Sequence, residues 1–399
     1  MALRISDLSD ELLIKIISTL PTKVAVSTSL LSKQWQFLWT WLPKLEFCDY
    51  SIIDDPGSIL RYREFINKNL PLHKSPVIES LLFRFCHRRL PQPENIKLWV
   101  GIAVSRFVRE LSISYFFLNH DGPDAPLPSS LYTCNSLMTL KLEGPEIVLD
   151  VPPTVCLPSL KTLQLRRVTY ANEDSLRLLL PHCPVLEDLC IERVGSEDNL
   201  RAIVVNVPSL QRLSLDVFQR SPGGYVIVTP SLQYFKVEDF SATFSCLIEH
   251  APKLEEAEIS VFQEFEELLK SIASVKLLSV LALWNSPEEP VYSVSTIFNQ
   301  LEHLKLGIYS DNWSKLLVWL LRNSPKLRVL NLYVDKDPEL EVYQPVTWSS
   351  VPECLLKTLE TFEFKDYTAT QEERDFLSFF FKHACCLTST SIIHNVCDM

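Results

Sequence analysis

The chain has 399 residues, is 47% hydrophobic and carries a formal net charge of −11 at pH 7. That acidic balance argues against a nucleic-acid or anionic-membrane partner, both of which want a basic face. The longest near-continuous apolar stretch, Leu277–Trp284, is far short of the roughly 18 residues a membrane span requires.

At the N-terminus Asp7, Asp10 and Glu11 stand where a secretory apolar region would lie, so the expected location is the cytosol or the nucleus. Ser9 is placed to cap a helix, with Asp10 and Glu11 favourably in its first turn. Along that helix Leu12, Leu13, Ile14, Ile16, Ile17 and Leu20 fan over an arc of about 200°, roughly twice the width a surface helix needs. Pro21 stops it, and a second helical region is expected with Val24, Leu31, Trp35, Leu38 and Leu42 on one side. A module of roughly 45 residues cannot hide so wide an apolar arc. One part should be covered by the rest of the chain and another by a different protein. Ile59–Leu70 is helically spaced, so the module is expected to be docked without a free linker.

From Ile78 onward the pattern apolar-x-x-apolar-x-apolar returns twelve times, starting at Ile78, Val108, Leu137, Leu160, Leu186, Leu210, Leu232, Leu254, Leu278, Leu301, Leu327 and Leu359. From Leu137 to Leu327 the starts are 22 to 26 residues apart, inside the range of about 20–29 for leucine-rich repeats. The fold class is therefore α/β: an N-terminal all-α module, then a leucine-rich-repeat solenoid with a curved parallel sheet and outer helices. In SLKTLQL the period is two, so Leu163 and Leu165 face inward while Thr162, Gln164 and Arg166 face out; Leu176, Leu179 and Leu180 then form a helical stripe. His182, His250, Asn323 and His383 recur at the ends of the repeat helices, where they can hydrogen-bond the last carbonyls.

Outward strand positions form the expected groove, with Arg166, Tyr234, Lys236, Trp284, His303, Lys305, Asn331 and Tyr333 as candidate target contacts. Val280 and Ala282 are read as outward too, giving an apolar cluster that runs to Tyr333. Eleven cysteines with no C-x-x-C read as buried free thiols in a reducing compartment, and Cys385-Cys386 as neighbours on a strand. Only 8 glycines occur, with no phosphate-cradling loop, no G-x-S-x-G and no H-E-x-x-H. Catalytic residues, metal ligands and cofactors are not expected.

The stretch ISDLSDELLIKIISTLPTKVAVSTSLLSKQWQFLWTWLPKL (Ile5–Leu45) resembles an F-box. Leu127–Leu142 and Leu157–Ile191 resemble the repeats of plant F-box proteins, and VPECLLKTLETFEFKDYTATQEERDFLSFFFKHACCL (Val351–Leu387) resembles the FBD segment that ends that group. Ser9 and Gln34 stand where the family usually has Pro and Arg. The resemblance implies an F-box at 1–50, a connecting helical segment at 51–76, repeats at 77–345 and an FBD segment at 346–399 made of terminal repeats. It further implies a non-catalytic substrate receptor of an SCF-type cullin–RING ubiquitin ligase. In that reading Leu8, Leu12, Ile16, Leu20, Pro21 and Trp35 meet a SKP-type adaptor, and the repeats hold a target protein. Two other readings compete: a receptor gated by a hormone or inositol polyphosphate, and a repeat scaffold working without a ligase. A polyphosphate floor would need Lys and Arg converging from neighbouring strands, and the mixed-sign groove does not supply it.

Overall fold

A computed structural model describes residues 5–48, 56–85, 92–115, 125–194, 202–218, 223–241, 244–261, 266–282, 296–309, 313–334 and 350–394. The chain forms two compact units that divide near residue 194. In the first, six parallel strands follow chain order: β1 (Lys44–Cys48), β2 (Ser80–Phe85), β3 (Glu110–Tyr115), β4 (Thr139–Glu143), β5 (Thr162–Arg166) and β6 (Asp188–Val194). The second carries eight: β7 (Arg212–Phe218), β8 (Tyr234–Asp239), β9 (Glu256–Val261), β10 (Leu277–Ala282), β11 (His303–Ile308), β12 (Val329–Val334), β13 (Thr361–Tyr367) and β14 (Ser389–His394).

β1 to β13 are built by the repeat pattern. The first apolar residue sits buried in the turn before the strand, and the next two point into the core; on the terminal β14, Leu387 and Ile392 are only half-buried. Registration then stacks like on like, Leu140 against Leu163 and Leu163 against Leu189. Burial of such leucines is the main stabilising term, and truncating one to Ala typically costs about 2–5 kcal/mol.

Three expectations about the repeats are corrected. The copy read as Leu278-Leu281-Leu283 is framed three residues too late. Registration pairs Leu278 with Ala257 and Leu304, and Val280 with Ile259 and Leu306, so the unit is Val275-Leu278-Val280. Val280 is therefore core, 1% exposed, and Leu281 takes the outward place. Leu281 is tolerated there because its partner is Gly307, where an added Cβ would lie 2.5 Å from Leu281 Cδ1. Ala282 pairs Ile308 in the same register, and Trp284 lies outside the described residues.

The second correction concerns the return segments. Helices fill some, such as Pro93–Ser105, Trp313–Arg322 and Gln371–His383. Others are short parallel strands: Ile203–Asn206, Tyr225–Val228 and Cys246–Glu249 form one ladder, and Ala125–Pro126, Ile147–Leu149 and Thr169–Tyr170 another. IVVN and YVIV are β-branched and aromatic with period-two burial, which suits a pleated strand and disfavours a helix. Third, Cys385-Cys386 sits in a turn after the last helix, not on a strand; both thiols are free.

A strand unforeseen in the sequence opens the sheet. Leu42-x-x-Leu45-x-Phe47 obeys the repeat pattern, and its three apolar side chains are buried. β1 pairs with β2 from Lys44 to Cys48. The free edge of β1 is met by the helical module: the Glu46 amide donates to Thr22 Oγ1 at 2.7 Å. The amides of Lys74 and Ser75 donate to the Thr40 carbonyl at 2.7 and 3.2 Å. An aromatic column of Phe47, Phe83 and Trp99, with centroid spacings of 5.6 and 5.3 Å, runs from β1 into the next repeats. The helical module is thus docked on the first repeats within one compact unit, with the helix Pro56–Asn69 leading into them.

In the second unit, residues 350–394 supply the last two strands. β12 pairs with β13, and β13 with β14. The helix Gln371–His383 begins in a capping box between Thr370 and Glu373. Buried Glu372 accepts a 2.6 Å hydrogen bond from Ser314, on the helix Trp313–Arg322. Trp313 packs against Phe364 and Phe376 at 6.0 and 5.4 Å, and Phe362 against Phe380 at 4.3 Å. These contacts make the segment continuous with the preceding repeat. Two of the four expected repeat-end caps are seen: His182 Nδ1 lies 2.8 Å from the Leu178 carbonyl oxygen, and Asn323 Nδ2 donates to Trp319 at 2.8 Å. His250 instead follows the short strand Cys246–Glu249, so its reading as a helix cap is corrected, and the His383 ring packs 4.6 Å from that of Phe379.

Candidate functional site

The first surface belongs to the helical module. Helix Asp10–Ile17 carries two apolar stripes, each spaced i, i+4. Leu13 and Ile17 are fully buried, whereas Leu12 and Ile16 are 46% and 40% exposed. Ser9 occupies the N-cap position, but its hydroxyl makes no capping bond; its carbonyl accepts from Leu12 and Leu13. Leu8, half-buried, precedes the helix, and exposed Leu20 and Pro21 follow it. Gln34 ties the start of the helix to the later turns, donating to the Leu8 carbonyl at 3.3 Å and to Asp10 at 3.4 Å.

Beyond Pro21 the single second helix expected from the sequence is broken. It is a short helix, Thr22–Ser27, followed by 3-10 turns at Thr28–Leu30 and Trp35–Trp41. The break separates Val24 and Leu31, both exposed, from Trp35, Leu38 and Leu42, all buried. Trp35 is 5% exposed and serves the module's own core, which corrects its reading as an adaptor contact. The sequence reading missed Leu30, Phe37 and Trp41, which are also exposed. The result is an apolar surface on a small module, of the sort a monomer seldom leaves uncovered.

The second surface is the open face of the sheets, read by register. In the first unit a groove of about 760 Å³ is lined by outward residues of β2 to β6, from Ser80 and Arg84 through Lys141 to Arg166 and Asp188. Arg166 lies 3.9 Å from Glu192. Arg167 pairs with Glu143 and, at 3.3 Å, with Glu192. In the second unit Tyr234 and Lys236 stand on β8, half-buried. The Arg212 guanidinium covers the Tyr234 ring at 4.1 Å, while burial and then Glu258 push the phenol up to about 12. A 2.8 Å hydrogen bond to Glu238 raises the Lys236 ammonium. His303 and Lys305 are exposed on β11, and Asn331 and Tyr333 half-buried on β12, with the Tyr333 ring 5.5 Å from that of Tyr309. Arg166 thus lies in one unit and the other described candidates in the other. Among the described residues no group of three or more His, Cys, Asp or Glu could hold a metal ion. Burial raises the Cys183, Cys246 and Cys354 thiols, each to about 12, which keeps them protonated and unreactive.

A helical module with an uncovered apolar stripe, followed by parallel repeats with an open polar face, is the architecture of the F-box and leucine-rich-repeat class. Residues 5–47 match the F-box domain, 347–392 match the FBD, and 96–256 match the LRR repeats of FBD-associated F-box protein At5g56370. From Arabidopsis thaliana, FBD-associated F-box protein At5g60610 is 55% identical, covering 98% of this chain and 100% of its own length. Putative FBD-associated F-box protein At5g56700 is 60% identical, covering 98% and 97%, and putative F-box/FBD/LRR-repeat protein At5g62970 is 46% identical, covering 93% and 88%. The chain belongs to the family of FBD-associated F-box proteins with leucine-rich repeats.

Proposed function

We infer that this chain is the substrate-recognition subunit of an SCF-type ubiquitin ligase. The observation that carries the reading is the split of one helix into a buried stripe, Leu13 and Ile17, and an exposed one, Leu12 and Ile16. The buried stripe satisfies the fold; the exposed stripe has no role in it, and covering it with an adaptor removes apolar area from water at about 25 cal/mol per Å². Leu8, Leu20 and Pro21 extend the surface at either end. The module is docked on the first repeats within one compact unit, so a target held on their open face is kept near the adaptor. The chain's contribution to chemistry is then proximity: it raises the local concentration of target lysines near a ubiquitin-charged enzyme, without catalytic residues of its own.

Capture of the tagged chain from cells with cullin activation and the proteasome blocked tests this. Adaptor and cullin should co-purify with the native chain and be lost from the Leu12→Asp, Ile16→Asp variant, while a target remains with both. Retention of adaptor and cullin by the variant would contradict the reading.

A further inference from the structure

Register arranges the open face of the first unit into rows across the strands. The first row runs Glu110, Thr139, Thr162, Asp188 along β3 to β6; in the second, Lys141 lies between Ser112 and Gln164. All seven of these line the groove of about 760 Å³. In the third row Glu143 and Glu192 are already neutralised by Arg167, and Arg166 lies near Glu192. Glu110, Lys141 and Asp188 have no ion pair among the described residues, and Glu110 and Lys141 are exposed. The groove therefore presents two uncompensated carboxylates with one uncompensated ammonium set between and beside them.

Parallel strands lie about 4.8 Å apart, so Glu110 and Asp188, three strands apart, are separated by about 14 Å. An extended peptide advances about 3.4 Å per residue and turns alternate side chains to one face. Four residues of it also span about 14 Å, so positions i, i+2 and i+4 face the sheet together. With i over Glu110 and i+4 over Asp188, position i+2 falls within reach of the long Lys141 side chain. We propose that this face binds an extended target segment in which residues i, i+2 and i+4 are basic, acidic and basic. The proposal rests on the target-receptor reading above and names the chemistry of the target. A segment of the opposite pattern would set like charges together at all three places, so selection against it is built into the same groove.

The test measures fluorescence anisotropy of the full-length chain at low ionic strength with three labelled peptides. One contains Lys-Ser-Glu-Ser-Lys, the second the inverse Glu-Ser-Lys-Ser-Glu, and the third the compressed Lys-Glu-Lys flanked by serines. The expected result is at least tenfold tighter binding of the first peptide than of either other. A folded Glu110→Lys, Lys141→Glu, Asp188→Lys variant should prefer the inverse peptide. Equal affinities, no binding, or an unchanged preference in that variant would overturn the proposal. Adaptor binding by the same preparations separates the two readings. Loss of peptide discrimination with adaptor still bound removes only this inference, and loss of adaptor binding with discrimination intact removes only the ligase reading.

Discussion

At the residue scale, neighbours in sequence carry opposite burdens. Leu13 is buried and Leu12 is 46% exposed, so Leu13→Ala should cost about 2–5 kcal/mol. Leu12→Ala should leave the melting temperature nearly unchanged; thermal unfolding of the pair checks both. Gly144 is a second pressure point. Its φ is +129, and a Cβ there would sit 2.6 Å from Tyr115 Cβ, an atom fixed to the backbone. Gly144→Ala therefore combines a left-handed conformation that side chains avoid with a clash that cannot relax. It should destabilise the chain by about 1–3 kcal/mol, read as a lower denaturant midpoint.

His73 links the helical module to the repeats and should make their union pH-dependent. It is 1% exposed, and its Nε2 lies 2.8 Å from the Leu42 carbonyl oxygen, so the neutral ring donates there. Burial holds its pKa below the ordinary 6.5, with Arg106 adding to the effect and the Leu42 bond opposing it. The unfolded chain thus binds a proton more readily than the folded one. Stability is full above about 6.5 and declines as pH falls from there toward the lowered folded value. His73→Gln should flatten that slope in thermal melts taken from pH 7.5 to 5.

At the scale of elements, the FBD segment ends the repeats rather than standing apart from them. Trp313, Phe362 and Phe364 are fully buried, and Phe376 nearly so, with Trp313, on the helix before β12, packed against Phe364 of β13. Truncation at Pro352 should expose the face beyond β12, lower stability by about 3–5 kcal/mol, the scale of losing a large core aromatic, and promote aggregation. A truncated chain that melts at the native temperature, with residues 352–399 folding alone, would show an independent domain.

What the sequence made legible at this scale follows from periodicity. Leu160-Leu163-Leu165 and its kin set strand positions because side-chain direction alternates with each residue. The same rule slipped at Leu278, where Leu278, Leu281 and Leu283 also fit and only pairing with Ala257 and Leu304 chooses between frames. β1 was equally written, in Leu42-Leu45-Phe47, but lay inside a stretch read as helical. The return strands were hidden because the repeat pattern marks one strand per unit and leaves the return path to local propensity. Of the site, the exposed stripe followed from an apolar arc too wide to bury. The roles of Trp35 and Leu31 did not, since they depend on where the second helix breaks.

At the scale of the whole molecule, the helical module both shields the edge of β1 and presents apolar side chains outward. The Thr22 bond to Glu46 and the Leu42–His73 contact serve the first task; Leu12 and Ile16 serve the second. Because the module and first repeats form one compact unit, distances between spin labels placed at exposed Lys15 and Lys161 of the full-length chain should form one narrow distribution. A broad spread of distances would show a hinge.

The most direct test of the account is calorimetric titration of the full-length chain with a purified SKP-type adaptor. The native chain should bind, and the Leu12→Asp, Ile16→Asp variant should lose at least a hundredfold in affinity while keeping its melting temperature. Undiminished affinity in a folded variant, or no binding by the native chain, would contradict it.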